Sequence, residues 1–416
     1  MCSDLEHPGC PPATVGNQGP RAGARSDDGC STPTGGAETP ERGESSEELL
    51  ESVPAGVADQ PAAEVTGRDK RALVSAVECT FDSLFVLSYD QGERSQLDAL
   101  YRKAKTKQWD VDLDIDWSIG GQIDRARDPN NALNRLHIPA GGVFSRLSDE
   151  QLAELGHASA AWTINQFLHT EQGALTCAAK LVQSAPWVDA KFYASTQVMD
   201  EARHMEAYAR YVKEKMEWEF PISTHLSGLL DDVVRDSRWD FTYLGMQVVI
   251  EGLALAAFGL QYKLSPDPLL KQITRYVIAD EARHVAFGVL SLREAYADLT
   301  AAELRERQEF CFEAVLRMRN RYLAEEVWEQ LDLPVDECTA LVNAGPVQKE
   351  YRRALFSAVV PNLKKLGLLD FGDGWLRTKF GELGVLGFED GDDTSAEYPR
   401  MDLDHAPWDV VRYQHY

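Results

Sequence analysis

Apolar positions recur at helical steps along most of the chain, and the breaks between them mark a series of helices. Ser148 followed by Gln151 is a capping box, which predicts a helix from there to about residue 183. A second is predicted from Pro186 to about Trp218, and a shorter segment over Thr224 to Arg235. A third long helix is expected at about Trp239 to Leu264, and a fourth from the SPDP turn at 265–268 to near Asp298. Proline is tolerated at a helix start and disfavoured inside, so Pro186 and Pro266 each mark a turn between two helices. Thr300 with Glu303 caps a fifth long helix to about Leu331, and further helices follow at about Val335 to Val342 and Val347 to Leu366. Between Phe241 and Tyr262 the only ionisable acid is Glu251, on a helix apolar nearly all round. Such a helix is buried.

Upstream, Leu73, Val77, Phe81, Leu84 and Leu87 fall in helical steps between Arg68 and Lys107. The run WDVDLDIDWS at 109–118 then breaks the helix with alternating acids, and an extended arm lying across the other helices is expected. Asn131 to Phe144, with Pro139 and the Gly141-Gly142 pair, reads as a loop. Residues 1–66 are rich in Gly, Pro, Ser, Ala and acid, and bury too little apolar surface to order themselves. The chain therefore divides into a disordered N-terminal tail (1–66), an N-terminal helix and extended arm (67–145), a four-helix bundle (146–298), accessory C-terminal helices (299–395) and a C-terminal tail (396–416).

Composition narrows the function. The chain has 416 residues, enough for a large core, with 42 Lys and Arg against 67 Asp and Glu, a net charge of −25. That balance argues against a nucleic-acid surface and for a soluble protein. The start, MCSDLEHPGC, has neither the basic region nor the apolar run of a signal peptide, and no membrane span is expected. The seven cysteines show no C-x-x-C spacing, which fits a cytoplasmic location and removes a rubredoxin-type iron site.

The chemistry lies in one word, Asp-Glu-Ala-Arg-His, spelled at 200–204 and again at 280–284. Residues three apart share a helix face, so Glu201 with His204 and Glu281 with His284 each present a carboxylate beside an imidazole. Thirty residues upstream of each motif glutamate stands another glutamate, Glu171 and Glu251, and the whole pattern repeats without a gap at an offset of 80 residues. Each proline is the midpoint of its pair, fifteen residues from either glutamate. In an antiparallel hairpin, equal arms put both glutamates at the same height, roughly 22 Å from the turn at 1.5 Å per residue. Two such hairpins packed together bring four glutamates and two histidines to one level. Four buried carboxylates would protonate or repel, and two divalent cations balance their four charges. Oxygen and imidazole donors without thiolate suit iron or manganese.

These two Asp-Glu-x-Arg-His motifs with two helical glutamates resemble the ferritin-like di-iron carboxylate superfamily, specifically its ribonucleotide-reductase-like branch. That branch includes reductase small subunits, multicomponent monooxygenase hydroxylases, ligand-binding oxidases and acyl-carrier desaturases, with arylamine N-oxygenases as relatives. The segment LYRKAKTKQWDVDLDIDWS is similar to the helix and arm that precede the bundle in reductase small subunits and ligand-binding oxidases. The resemblance implies an all-α, ferritin-like four-helix bundle with accessory N- and C-terminal helices, and metal ligands at Glu171, Glu201, His204, Glu251, Glu281 and His284. It implies that Asp200 and Asp280 hold the ring N–H of the opposite histidine, and that Arg203 and Arg283 pair with those aspartates.

One turn past each histidine stand Tyr208 and Gly288, so the repeat is asymmetric there. By the resemblance Tyr208 occupies the place of the reductase radical tyrosine and is a candidate proton or electron donor, and Trp109 aligns with the tryptophan of the reductase electron relay. Gly288, with Ala254 and Gly173, reads either as room for a substrate or as close helix approach. Val277 stands where arylamine N-oxygenases have an additional histidine. The expected function is a di-iron oxygenase or oxidase that uses dioxygen to hydroxylate, desaturate or N-oxygenate a small organic substrate. Its cofactor is two iron ions or a manganese–iron pair, and an external reductase or ferredoxin supplies electrons. A homodimer is compatible with this reading. A radical-generating subunit and a ferroxidase are the alternatives.

Overall fold

The computed structural model describes residues 92–120, 137–216 and 218–400, all within one compact unit, Glu64–Tyr416. The expected tail at 1–66, the apolar series from Leu73 to Leu87, the first part of the 131–144 loop and the end of the C-terminal tail lie outside these residues. The described residues form helices and turns and no strand. In chain order the helices that position the site are α1 (Ser95–Thr106), α2 (Asp149–Ser184), α3 (Val188–Tyr211), α4 (Thr224–Arg235), α5 (Trp239–Leu264) and α6 (Pro268–Tyr296).

Helices α2 and α3 form one antiparallel hairpin around Pro186, and α5 and α6 form the other around Pro266. The two hairpins pack on each other through α3 with α6 and α2 with α5, giving an all-α four-helix bundle. Local chemistry sets its ends. The Ser148 hydroxyl accepts from the Gln151 N–H and the Gln151 side chain from the Ser148 N–H, which satisfies two amides that the first turn of α2 cannot pair. Asp267 caps α6 by accepting from the Leu269 N–H at 2.9 Å, with Pro268 in the first turn. Helix α5 is long and apolar enough to cross a membrane, but its apolar stretch is wholly buried inside the molecule. It is the central helix of the core.

The 80-residue repeat breaks in α5. Leu244–Ile250 winds as a π-helix just before Glu251, and no such turn interrupts α2. Wide turns of this kind collect at functional sites because they re-aim the side chains that follow. Gly288 of α6 lies against this turn: a Cβ there would meet Gln247 Cβ at 2.6 Å. At Gly173 the neighbour would be the Leu230 side chain at 2.5 Å. Of the two readings of these glycines, the close helix approach is the one observed.

Helix α1 lies on α3 and α6. The following acidic run is a series of turns and not the extended arm expected. Asp110 Oδ1 accepts from the amides of Asp112 and Leu113 at 2.9 and 3.0 Å, and Asp114 Oδ2 accepts from the Asp110 amide at 2.7 Å. Aspartates that bond backbone amides one turn away favour turns over extended chain. Trp109, Val111 and Ile115 are buried beneath them.

The fifth long helix also departs from expectation. Thr300 and Glu303 form its capping box, and α7 (Ala301–Arg321) stops ten residues early. Ala324 adopts a left-handed conformation before α8 (Glu325–Gln330), which lets Trp328 turn inward and donate to Leu323 O at 2.8 Å. Beyond α9 (Val335–Ala344), the helix expected at 347–366 is two, α10 (Pro346–Ala354) and α11 (Val360–Lys365), divided at Leu355–Ser357. Pro361 has no N–H to continue the upstream ladder. Further along the chain α12 (Trp375–Leu383) and α13 (Thr394–Glu397) form, and α13 packs on α6.

Because Gln247 Cβ cannot move without its helix whereas Leu230 can rotate away, Gly288→Ala is expected to cost about 1–3 kcal/mol and Gly173→Ala clearly less. Denaturant unfolding of the two variants checks the order.

Candidate metal centre

Helical spacing places Glu201 and His204 on one face of α3 and Glu281 and His284 on one face of α6, while α2 contributes Glu171 and α5 Glu251. All six are buried, at most 2% exposed. Ligand atoms of Glu171, Glu201, His204 and Glu281 lie within 4.8 Å of one another, and those of Glu201, Glu251 and His284 form a second such group. Glu201 belongs to both, so the two groups adjoin and could hold two ions side by side.

The donor atoms are aimed inward and lack hydrogen-bond partners. His204 Nδ1 sits 3.3 Å from Glu201 Oε2 and 3.3 Å from Glu281 Oε1, and His284 Nδ1 sits 3.0 Å from Glu201 Oε1. Neither nitrogen has a hydrogen-bond partner among the described residues, nor do Glu171 Oε1, Glu201 Oε2, Glu251 Oε2 or either oxygen of Glu281. Buried polar atoms normally do. Seven such atoms converging from four helices fit cations, which accept lone pairs from all of them.

The outer nitrogens are held crosswise. His204 Nε2 meets Asp280 Oδ2 at 3.2 Å, and His284 Nε2 meets Asp200 Oδ2 at 3.2 Å. A carboxylate can only accept, so each Nε2 carries a hydrogen, and with a metal bound each ring, neutral, would turn its Nδ1 lone pair to the centre. Arg203 and Arg283 each pair with the aspartate on their own helix and reach the other at 3.4 and 3.3 Å. Trp109 joins this layer: its indole N–H donates to Asp280 Oδ2 at 2.8 Å, and its ring stacks on Tyr276. On the other side Gln108 accepts from Arg203.

Burial, and then the neighbouring Glu281, push the Glu171 and Glu251 carboxyls well above the usual carboxylate range. Burial works the same way on Glu201, yet the imidazoles of His284 and His204 overcome it and hold that carboxyl below its usual range. Burial would lower both histidines, but the bond to Asp280 at His204 and the charge of Glu201 at His284 hold them well above the ordinary imidazole value. For Asp280, burial is outweighed by Arg283 and by the bond to His204, and the group stays low.

Sequence reasoning missed two glutamines. Gln197 donates to Glu201 Oε1 at 3.0 Å and to Glu251 Oε1 at 2.9 Å, and the π-turn presents Gln247 to Gln197 Oε1 at 3.5 Å. Both are fully buried. The repeat pairs Gln197 with Val277 and Gln247 with Phe167, so neither amide has a counterpart at the matching position of the other hairpin. An amide one turn before Glu251, in an otherwise apolar run, was the available signal. Tyr208 is fully buried, its hydroxyl without a hydrogen-bond partner and its ring beside Phe167 and Phe258. Burial, and then Glu171, push its phenol well up.

Stripping metal with a chelator should therefore lower the melting temperature by at least about 5 °C, and two equivalents of ferrous or manganous ion per chain should restore it. Scanning calorimetry of stripped and reloaded protein checks this.

No curated protein sequence matches this chain. Among solved structures, R2-like ligand-binding oxidase variants with an anaerobically reconstituted Mn/Fe cofactor align at 18% identity over 67% of this chain and 96% of theirs with a TM-score of 0.40, and at 17% over 67% and 95% with 0.42. A form with a non-activated Mn/Mn cofactor aligns at 17% over 64% and 94%, TM-score 0.40. The profile described as P-aminobenzoate N-oxygenase AurF matches residues 90–367, two thirds of the sequence and all four bundle helices. The chain belongs to the p-aminobenzoate N-oxygenase AurF family.

Proposed function

We propose that this protein is a two-metal oxygenase that uses dioxygen to oxidise a small organic substrate, with N-oxygenation of an arylamine as the reaction the family supports best. The observation that carries the reading is the convergence of unpartnered carboxylate and imidazole atoms in a buried bundle. Glu171, Glu201, His204, Glu251, Glu281 and His284 would hold two iron ions or a manganese–iron pair. When bound, such a pair supplies the electrons that activate dioxygen. One oxygen atom goes to the amine nitrogen and the other leaves as water, so each turnover takes two electrons from an external donor such as a reductase or ferredoxin and two protons that come ultimately from water.

The chain's own residues orient, exclude water and carry charge. Asp200 and Asp280 fix the imidazoles, and Arg203 and Arg283 compensate the aspartates. Gln197 restrains Glu201 and Glu251. The contiguous series Tyr276, Trp109, Asp280 and His204 gives electrons a route from the partly exposed Tyr276 inward. Tyr208, buried beside Glu171, is the candidate proton donor.

Iron-loaded protein given dioxygen, a chemical reductant and p-aminobenzoate or aniline is expected to form the hydroxylamine or nitro product. The Glu251→Ala variant should lose that product while keeping its helical circular dichroism. Wild-type protein that forms no oxidised amine would refute the N-oxygenase reading, and undiminished turnover in the variant would refute the ligand assignment. Trp109→Phe removes the indole donor; it should slow re-reduction by a protein donor at least about tenfold, one order of magnitude being about 1.4 kcal/mol of barrier, while iron content stays the same. Stopped-flow reduction checks the rate.

A further inference from the structure

A second polar site lies among helices that carry none of the six ligands. Helices α7, α9, α10 and α12 surround a cavity of about 190 Å³, into which Arg319, Lys349, Arg352 and Arg353 converge beside the apolar Phe356 and Leu383. Four cations in one cavity are out of keeping with a chain whose net charge is −25. Just one carboxylate among the described residues pairs with any of them: Glu350 accepts from Arg353 at 2.9 Å.

Arg352 is 6% exposed. Its guanidinium donates to neutral oxygens, Val342 O, Asn343 O and Asn343 Oδ1, each at 3.3 Å. Burial and the neighbouring Arg319 both work against its charge. A structural role explains part of this, because an arginine that donates to the last carbonyls of α9 secures the end of that helix. It does not explain Arg319, whose described hydrogen bonds go to Asn320 alone, nor Lys349, which pairs with no carboxylate among the described residues. Four like charges gathered with a single counter-charge repel, and an anion relieves the repulsion. Salt screens the distant acidic surface over about 8 Å at physiological ionic strength, so the local cluster sets the potential in the cavity.

We propose that this cavity binds a small organic oxyanion, with a carboxylate or phosphate head between Arg319, Lys349 and Arg352 and an apolar body on Phe356 and Leu383. Planar guanidinium groups match the paired oxygens of either head. The volume suits a compact metabolite.

Calorimetric titration of the full-length, metal-loaded protein uses inorganic phosphate and benzoate as probes. One of them should saturate at one equivalent per chain. The Arg319→Gln, Lys349→Gln double variant, which leaves buried Arg352 in place, should bind it at least about tenfold more weakly with an unchanged melting temperature. Saturation by benzoate assigns a carboxylate ligand, and saturation by phosphate a phosphoryl one. The proposal fails if neither probe saturates. It fails equally if the double variant binds as tightly as wild type, as it would were the anion on the metal centre.

Discussion

Four carboxylates held inside an apolar bundle are the constraint on which this structure turns. Burying an ion costs several kcal/mol unless it is paired, and among the described residues no Lys or Arg pairs with Glu171, Glu201, Glu251 or Glu281. Without metal the site divides the cost: Glu171 and Glu251 move toward the protonated form, while Glu201 remains ionised against two imidazoles. With two divalent ions, four negative charges meet four positive ones. The next layer is balanced independently, Asp200 and Asp280 against Arg203 and Arg283. Each layer is neutral by itself, which is why so much charge can sit in the core.

The geometry that delivers these groups is a repeated hairpin, and the repeat is exact at the ligands and the residues that hold them. Ligands and their aspartate supports obey the 80-residue offset. The surroundings do not. A π-turn in α5, the Gln247 and Gln197 amides, and Gly288 opposite Tyr208 make one side polar and tightly packed and the other aromatic and apolar. Two ions in such a site would meet different fields.

Much of this was legible in the sequence because it rests on short-range rules. The i, i+3 spacing fixed which side chains share a face, the prolines fixed the hairpin turns, and the capping pairs Ser148 with Gln151 and Thr300 with Glu303 fixed two helix starts within a residue. The crosswise bonds from His204 to Asp280 and from His284 to Asp200 followed from the resemblance. What escaped depends on tertiary contact. The acidic run after Trp109 folds into turns because its aspartates cap their own amides over buried Val111 and Ile115. The π-turn has no sequence mark beyond Gln247, and the break at Ala324 exists to bring Trp328 inward. The readings of Gly288 and Gly173 could be separated only by seeing what lies opposite them.

Anomalous diffraction at the iron edge, from crystals of protein loaded with ferrous iron, tests the central claim most directly. Two peaks per chain are expected, a few ångströms apart, one bounded by Glu171, Glu201, His204 and Glu281 and the other by Glu201, Glu251 and His284. A single peak, or iron bound away from these residues, would contradict it.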